Sequence, residues 1–340
     1  MTLKSYRTFL VVLSVMILGL MALGAGVRTM NAGLSCPDWP LCFGKVIPDF
    51  HPAVWFEFVH RAYAGVVAIL YAAALVIAFR RKDLGDVSRK QLRLAATWGT
   101  VFLSAQIIMG GLTVLMLVKA VIVTTHLLLA TLFLGSVLWM YFVVNREITA
   151  TSASQDPEHV WAPKWPVVIL PILVFSQIAI GGLVASTYAG SVCVDWPLCN
   201  GQWVPTWKGA IGLQVIHRFV AYGLVVLFAG FAVWAMTAAK RGERKVSSRV
   251  RSLFVFAGVV VLLQTVVGIL NLLYFIPPQI TVPHQTLAMI LLGITLRLWF
   301  EARSANLVHS RVGDKASRAQ AGLEPVQSGS SQTRVDVVLS

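Results

Sequence analysis

The chain is 340 residues long, 57% hydrophobic and only 12% charged, against roughly 25% charged residues in an ordinary soluble domain. That deficit excludes a well-solvated globule and points to a chain surrounded by membrane lipid. The formal net charge of +14 does not imply a nucleic-acid partner, because the basic residues fall in short connectors between apolar runs, as in the cytoplasmic loops of a membrane protein.

About 20 apolar residues span a bilayer as a helix, and such runs lie at 8–27, 53–79, 94–118, 120–144, 165–187, 209–239, 252–276 and 279–300. The first follows Lys4 and Arg7, as a signal peptide would. It is long, however, and no A-x-A-like site ends it, so it reads as a retained helix. The connectors at Lys119 and at Pro277–Pro278 are the shortest, and the prolines there support a break, since proline cannot continue a helical hydrogen-bond ladder. The expected fold is therefore an all-α integral membrane protein with eight transmembrane helices.

Sidedness follows from charge. Residues 80–93 carry six basic and two acidic side chains, and 240–251 carry six and one, so both face the cytoplasm. The nearly charge-balanced loops at 28–52 and 188–208 face outward, and parity places both termini and the 145–164 loop inside. The expected organisation is an amino-terminal half over 1–145, a cytoplasmic linker over 146–164, a carboxy-terminal half over 165–301 and a disordered cytoplasmic tail over 302–340, rich in Ser, Gln, Gly and charge.

The two halves are repeats. Cys36-Pro-Asp-Trp-Pro-Leu-Cys42 returns as Cys193-Val-Asp-Trp-Pro-Leu-Cys199, and Glu57-x-x-His60-Arg61 returns as Gln214-x-x-His217-Arg218, each 157 residues on. Gln106-x-x-x-Gly110 returns as Gln264-x-x-x-Gly268, and His126 returns as His284. Four helices per half give both halves one orientation, which implies a pseudo-two-fold axis along the membrane normal.

Ionisable residues inside a membrane span are functional candidates. His60 and His126 each fall six or seven residues from the outward end of their helices, roughly 9–10 Å deep at 1.5 Å per residue. His217 and His284 repeat this pairing. Two imidazoles at one depth in a four-helix bundle suit bis-histidine haem ligation, whereas zinc or copper calls for three or four ligands. Only Glu57 joins the histidines at that depth. Arg61 and Arg218 follow their histidines directly, and either reach a haem propionate or snorkel to headgroups. His51, His159 and His309 lie in loops or the tail and carry no assigned role.

All four cysteines fall in outward loops. On an oxidising face the default pairing is Cys36–Cys42 and Cys193–Cys199. Zinc is disfavoured by the C-x5-C spacing, and a redox role for an exposed bond stays open. The halves differ where Glu57 becomes Gln214 and Arg28 becomes Ala185. A carboxylate beside a cofactor handles protons, so the first half reads as the reactive one. The other reading has Glu57 merely paired with Arg61 or Arg28.

Over residues 8–300, the eight-span plan, the duplicated halves, the four histidines, E-x-x-H-R and the paired loop cysteines together resemble the haem A synthase family in its bacterial, cysteine-bearing form. The resemblance implies oxidation of the C8 methyl of haem O to a formyl group, making haem A for terminal oxidases. It implies haem b held by His217 and His284, substrate haem O held by His60 and His126, an essential glutamate at Glu57 and an activity-linked Cys36–Cys42 pair. It further implies haem O synthase and the cytochrome oxidase assembly machinery as partners in the cell membrane. Two other classes compete. One is a di-haem cytochrome b transferring electrons from quinol, which would place its haems at two depths. The other is a parallel-repeat transporter, whose midplane polar groups would be Gln106, Gln177 and Gln264.

Overall fold

The structure, a computed structural model, describes residues 1–152, 164–203, 205–241 and 248–320. Eight helices appear among these: α1 (Leu3–Thr29), α2 (Pro52–Arg80), α3 (Asp86–Leu115), α4 (Ala120–Ser152), α5 (Lys164–Ser186), α6 (Gly209–Arg241), α7 (Ser248–Leu273) and α8 (Pro278–Gln320). All eight are long and apolar enough to cross a membrane. Among the described residues no β-strand forms beyond two isolated bridges, Cys42 with Lys45 and Cys199 with Gln202.

Two boundaries depart from the sequence expectation. Helix α3 starts at Asp86 rather than 94, because Gly85 caps it and Asp86 places negative charge in its first turn. Much of the basic 80–93 connector is thus helix. Helix α8 continues to Gln320, past the point where disorder was expected to begin. Its extension, Glu-Ala-Arg-Ser-Ala after Phe300, is made of residues that sit comfortably in a helix. The remaining tail (321–340), the middle of the linker with His159 (153–163) and the middle of the second basic connector (242–247) lie outside the described residues.

The turns near Lys119 and Pro277 are both real and built alike. Leu117 and Val118 take left-handed φ of 51° and 50°, and Phe275 and Ile276 both take 60°. Val118 N donates to Thr113 O and Ile276 N to Asn271 O, each at 2.7 Å. Proline lies within α5 (Pro171) and α8 (Pro283), as membrane-spanning helices tolerate.

Helices α1–α2–α3–α4 pack in a ring, and so do α5–α6–α7–α8. The rings meet through α1 against α8, α4 against α5, and α4 against α8. Several contacts across this seam join a residue to its own repeat counterpart. Phe142 and Phe300 rings lie 5.6 Å apart. Buried Thr131 donates from Oγ1 to Met289 Sδ at 3.5 Å, and Tyr188 Oη donates to Asn31 Oδ1 at 3.3 Å. Gly135 packs on Leu296 as Gly293 packs on Leu138. Each of these contacts joins positions 157 or 158 residues apart, or recurs at that spacing.

Lipid is as apolar as leucine, so the helices gain by close packing and buried hydrogen bonds rather than by escaping solvent. Glycine permits the closest approaches. Tyr71 Oη, buried, donates to Ala96 O at 2.5 Å directly over Gly99, where any β-carbon would collide with Tyr71 and Ser136. Gly99→Leu is therefore expected to destabilise the amino-terminal ring by about 1–3 kcal/mol, the usual penalty of overpacking, seen as a lower midpoint of thermal unfolding in detergent. An unchanged midpoint would show that α2, α3 and α4 do not depend on this contact.

Candidate functional site

The four membrane-span histidines share one construction. Each sits near the start of an even-numbered helix, with its ring against a glycine on the helix before it. A β-carbon at Gly24 would lie 2.9 Å from His60 Cε1, one at Gly110 3.2 Å from His126 Cε1, one at Gly181 3.0 Å from His217 Cε1, and one at Gly268 2.7 Å from His284 Cε1. A side chain at any of the four would push the imidazole aside. His126 is within electrostatic reach of His60, and His217 of His284, so each ring of helices holds one pair.

Glutamine one turn before the glycine completes three of these seats, since residues four apart share a helix face. The Gln106 amide nitrogen lies 3.1 Å from His126 Nε2, and that of Gln264 lies 3.4 Å from His284 Nε2. The Gln177 amide nitrogen meets His217 Nδ1 at 3.1 Å and also donates to His217 O at 2.8 Å. These polar residues thus serve the histidines rather than a separate midplane site. The glycine seats and the glutamine partners escape a reading based on ligand residues alone. The recurring Q-x-x-x-G at 106–110, 177–181 and 264–268 is the signal that marks them.

These residues fit a bis-imidazole haem. His60 Nδ1, His126 Nδ1 and His284 Nδ1 are buried without a partner, as are the Oε1 atoms of Gln106, Gln177 and Gln264. Buried polar atoms are nearly always satisfied in a completed site. Among the described residues no cluster of three or more His, Cys, Asp and Glu side chains could hold a bare ion. Two imidazoles per ring suit a metal that brings its remaining ligands with it.

Over each pair sits a loop closed by a disulfide, Cys36–Cys42 in one half and Cys193–Cys199 in the other, as the spacing predicts. The four cysteines are buried, none more than 3% exposed, so neither bond is the exposed kind that invites redox exchange. The chain reverses through Phe43-Gly44 and Asn200-Gly201, all with left-handed φ. The Asp38 carboxylate accepts from Phe43 N and Gly44 N at 2.6 and 2.8 Å, and Asp195 accepts from Asn200 N and Gly201 N at the same distances. These bonds, foremost those from Gly44 and Gly201, hold both carboxyls below the usual range.

Arg61 and Arg218 tie the loops down. Arg61 Nη1 donates to Asp38 O and Leu41 O at 2.7 and 2.8 Å, and Nη2 to Cys36 O at 3.2 Å. Arg218 does the same for Asp195 O, Leu198 O and Cys193 O at 3.1, 2.7 and 3.0 Å. The contacts these two guanidiniums make within the chain are those of a loop clamp. With Glu57 added, the terminal N–H groups of Arg61 are all engaged.

Glu57 distinguishes the halves. It is 4% exposed, its Oε1 accepts from Arg61 Nη2 at 2.5 Å, and its Oε2 accepts from Cys36 N at 2.8 Å. Gln214 is also buried, but its Oε1 has no partner. Arg28 instead lies over the Tyr188 ring, 5.5 Å from its centroid. Of the two ion pairs considered for Glu57, the one with Arg61 forms. The loop tryptophans differ as well. Trp39 rests on Gly111, whereas Trp196 Nε1 donates to Tyr222 Oη at 2.9 Å. His51 is exposed at the start of α2, and His309 falls within the far end of α8.

Comparison with known proteins gives one consistent result. The family described as cytochrome oxidase assembly protein, COX15-CtaA, matches residues 7–296. The chain is 28% identical to the "Heme A synthase" of Paracoccus denitrificans (strain Pd 1222), covering 87% of each chain. It is 29% identical to that of Shouchella clausii (strain KSM-K16), over 68% of this chain and 77% of the relative. It is 27% identical to that of Neorickettsia sennetsu (strain ATCC VR-367 / Miyayama), over 85% and 97%.

The loop carboxylates set a pH dependence with a definite sign. A carboxyl with a depressed folded-state pKa stabilises above its unfolded value near 3.9, and that contribution fades as pH falls through the folded value. Amide exchange protection at Gly44 and Gly201, corrected for intrinsic rates, is expected to stay level from about pH 8 to pH 5 and to fall only below about pH 4. Protection lost near pH 6 would assign the loops' stability to another group. Arg218→Met is expected to speed reduction of Cys193–Cys199 by phosphine, and an unchanged rate would show that the clamp does not hold the loop closed.

Proposed function

The chain belongs to the cytochrome oxidase assembly protein family, COX15-CtaA, and from that premise we propose that it is a haem A synthase, oxidising the C8 methyl of haem O to a formyl group. The observation that carries this reading is an asymmetry between two bis-imidazole sites built on one plan. Only the first has a buried carboxylate on the histidine-bearing helix, at Glu57.

Methyl to formyl requires loss of four electrons and four protons and gain of one oxygen atom, the equivalent of adding one water. His60 and His126 hold the substrate haem in the amino-terminal half, residues 1–145. His217 and His284 hold a resident haem b in the carboxy-terminal half, residues 165–301, with a pseudo-two-fold axis between the halves. Haem b, when bound there, supplies one-electron transfer. Glu57 sits three residues before His60, on one face of α2. Its Oε1 is the atom that takes a proton leaving the methyl carbon, and Arg61 on the same oxygen holds the carboxylate in place. Oε2, held by Cys36 N, fixes the carboxylate to the Cys36–Cys42 loop, so the disulfide acts by positioning Glu57. Arg61 and Arg218 act by holding the loops. The basic connectors and both termini face the cytoplasm and the disulfide loops face outward in the cell membrane. Haem O synthase delivers the substrate, and the oxidase assembly machinery takes the product.

Co-expression with haem O synthase, followed by haem extraction, is expected to yield haem A. Haem O alone would refute the assignment. Glu57→Gln, which copies the second half, is expected to lower haem A formation by about 10²–10⁴-fold, the usual share of general acid–base catalysis, with the low-spin resident haem spectrum retained. His217→Ala and His284→Ala are expected to abolish that spectrum, and its survival in both would move haem b elsewhere.

A further inference from the structure

Three of the four histidine seats carry a glutamine one turn before the glycine, and the fourth does not. Gln106, Gln177 and Gln264 precede Gly110, Gly181 and Gly268, but Leu20 precedes Gly24. The contrast is sharpest between the repeat counterparts His60 and His217. His217 Nδ1 is met by the Gln177 amide at 3.1 Å, and the same amide nitrogen is anchored on His217 O at 2.8 Å. His60 Nδ1 is the equivalent atom, and it is buried without a partner. Leucine, partly buried in the core, offers it no polar atom.

We infer that Gln177 locks His217 as a permanent ligand, and that Leu20 leaves His60 an exchangeable one, so that this single position decides which half keeps its haem and which releases it. The physical reason lies in what a ligating imidazole needs. Its outer nitrogen is normally hydrogen-bonded, which fixes ring rotation and raises basicity, and loss of that partner lowers affinity by about 10–100-fold. An amide presents Nδ1 with a donor or an acceptor according to which end faces it. With Nε2 on iron, Nδ1 carries the proton, so the amide seen donating to Nδ1 turns its unpartnered Oε1 to accept from it and gives up its bond to His217 O. A ring seated only by contact with Gly24 binds with correct shape but without that reinforcement. A site that must take up one haem and discharge another gains turnover from this, and an electron-transfer site gains nothing. Gln177 and Leu20 are positioning residues, acting only through the imidazoles.

This inference rests on the division into substrate and resident halves proposed above. Its test reads haem binding rather than haem oxidation. Full-length protein co-expressed with haem O synthase is purified, and haem loss to apomyoglobin is followed. The parent chain is expected to lose haem in a fast phase from the amino-terminal half and a slow phase from the other. Gln177→Leu is expected to accelerate the slow phase by about 10–100-fold and to raise the midpoint potential of the resident haem, since a less basic imidazole stabilises the oxidised iron less. Leu20→Gln is expected to slow the fast phase by a similar factor. Leu20→Met, matched in size but lacking the amide, is expected to leave it unchanged. An unaltered slow phase and potential in Gln177→Leu overturns the inference, as does equal slowing by Leu20→Gln and Leu20→Met. If the amino-terminal half never holds haem, the substrate assignment fails instead, and the Gln177→Leu rate still decides the clamp.

Discussion

A polar ring buried among membrane helices needs a facing surface with nothing on it. That constraint organises this molecule. The backbone of α1, α3, α5 and α7 is bare at Gly24, Gly110, Gly181 and Gly268, and each bare spot takes the imidazole of the next helix. The two helices of each hairpin, α1–α2, α3–α4, α5–α6 and α7–α8, are thereby registered against each other. In lipid, where apolar burial contributes little to helix association, such steric registration together with buried hydrogen bonds does much of what a hydrophobic core does in water.

Each histidine pair is covered by a disulfide loop, and here the chain uses one construction for two ends. Aspartate folds the loop on itself and arginine ties three of its carbonyls to the helix below. Only in the first half does the clamp continue into a carboxylate. Arg61 bridges loop and Glu57, and Glu57 reaches back to Cys36 N. A change at any one of the four residues Cys36, Cys42, Glu57 and Arg61 therefore disturbs the others. A cysteine pair can thus matter to a reaction without its sulfur atoms taking part.

Much of this was legible from residue order alone. Eight apolar runs, two basic connectors and a fixed repeat spacing specify the helices and pair the histidines, because length, charge and periodicity are local properties. The disulfides were legible for the same reason. The fate of Arg61 was not. Which loop carbonyls a guanidinium meets depends on the path of the loop, and that path is set by left-handed residues such as Phe43 whose conformation nothing in their own identity announces. The start of α3 at Asp86 and the continuation of α8 past residue 302 were hidden because hydropathy marks where a helix is apolar, not where it ends. The seat at Gly24 was the hardest to see. Its neighbours Gly110, Gly181 and Gly268 advertise themselves through glutamine, and Leu20 removes that mark at the position where its absence has meaning.

The seam between the halves carries one more consequence. Thr131 touches Met289 and Asn31 touches Tyr188, each residue facing its own counterpart. In an assembly of two identical chains every such meeting would be like with like, and an improvement to one side would be imposed on both. Joined in one polypeptide, the two sides are free to differ, as hydroxyl against thioether and amide against phenol do here. Fusion also fixes the ratio of the two halves at one to one and holds them at an effective concentration that no pair of free chains reaches at cellular abundance. On the reading proposed above, the reactive half is thereby born with its electron partner.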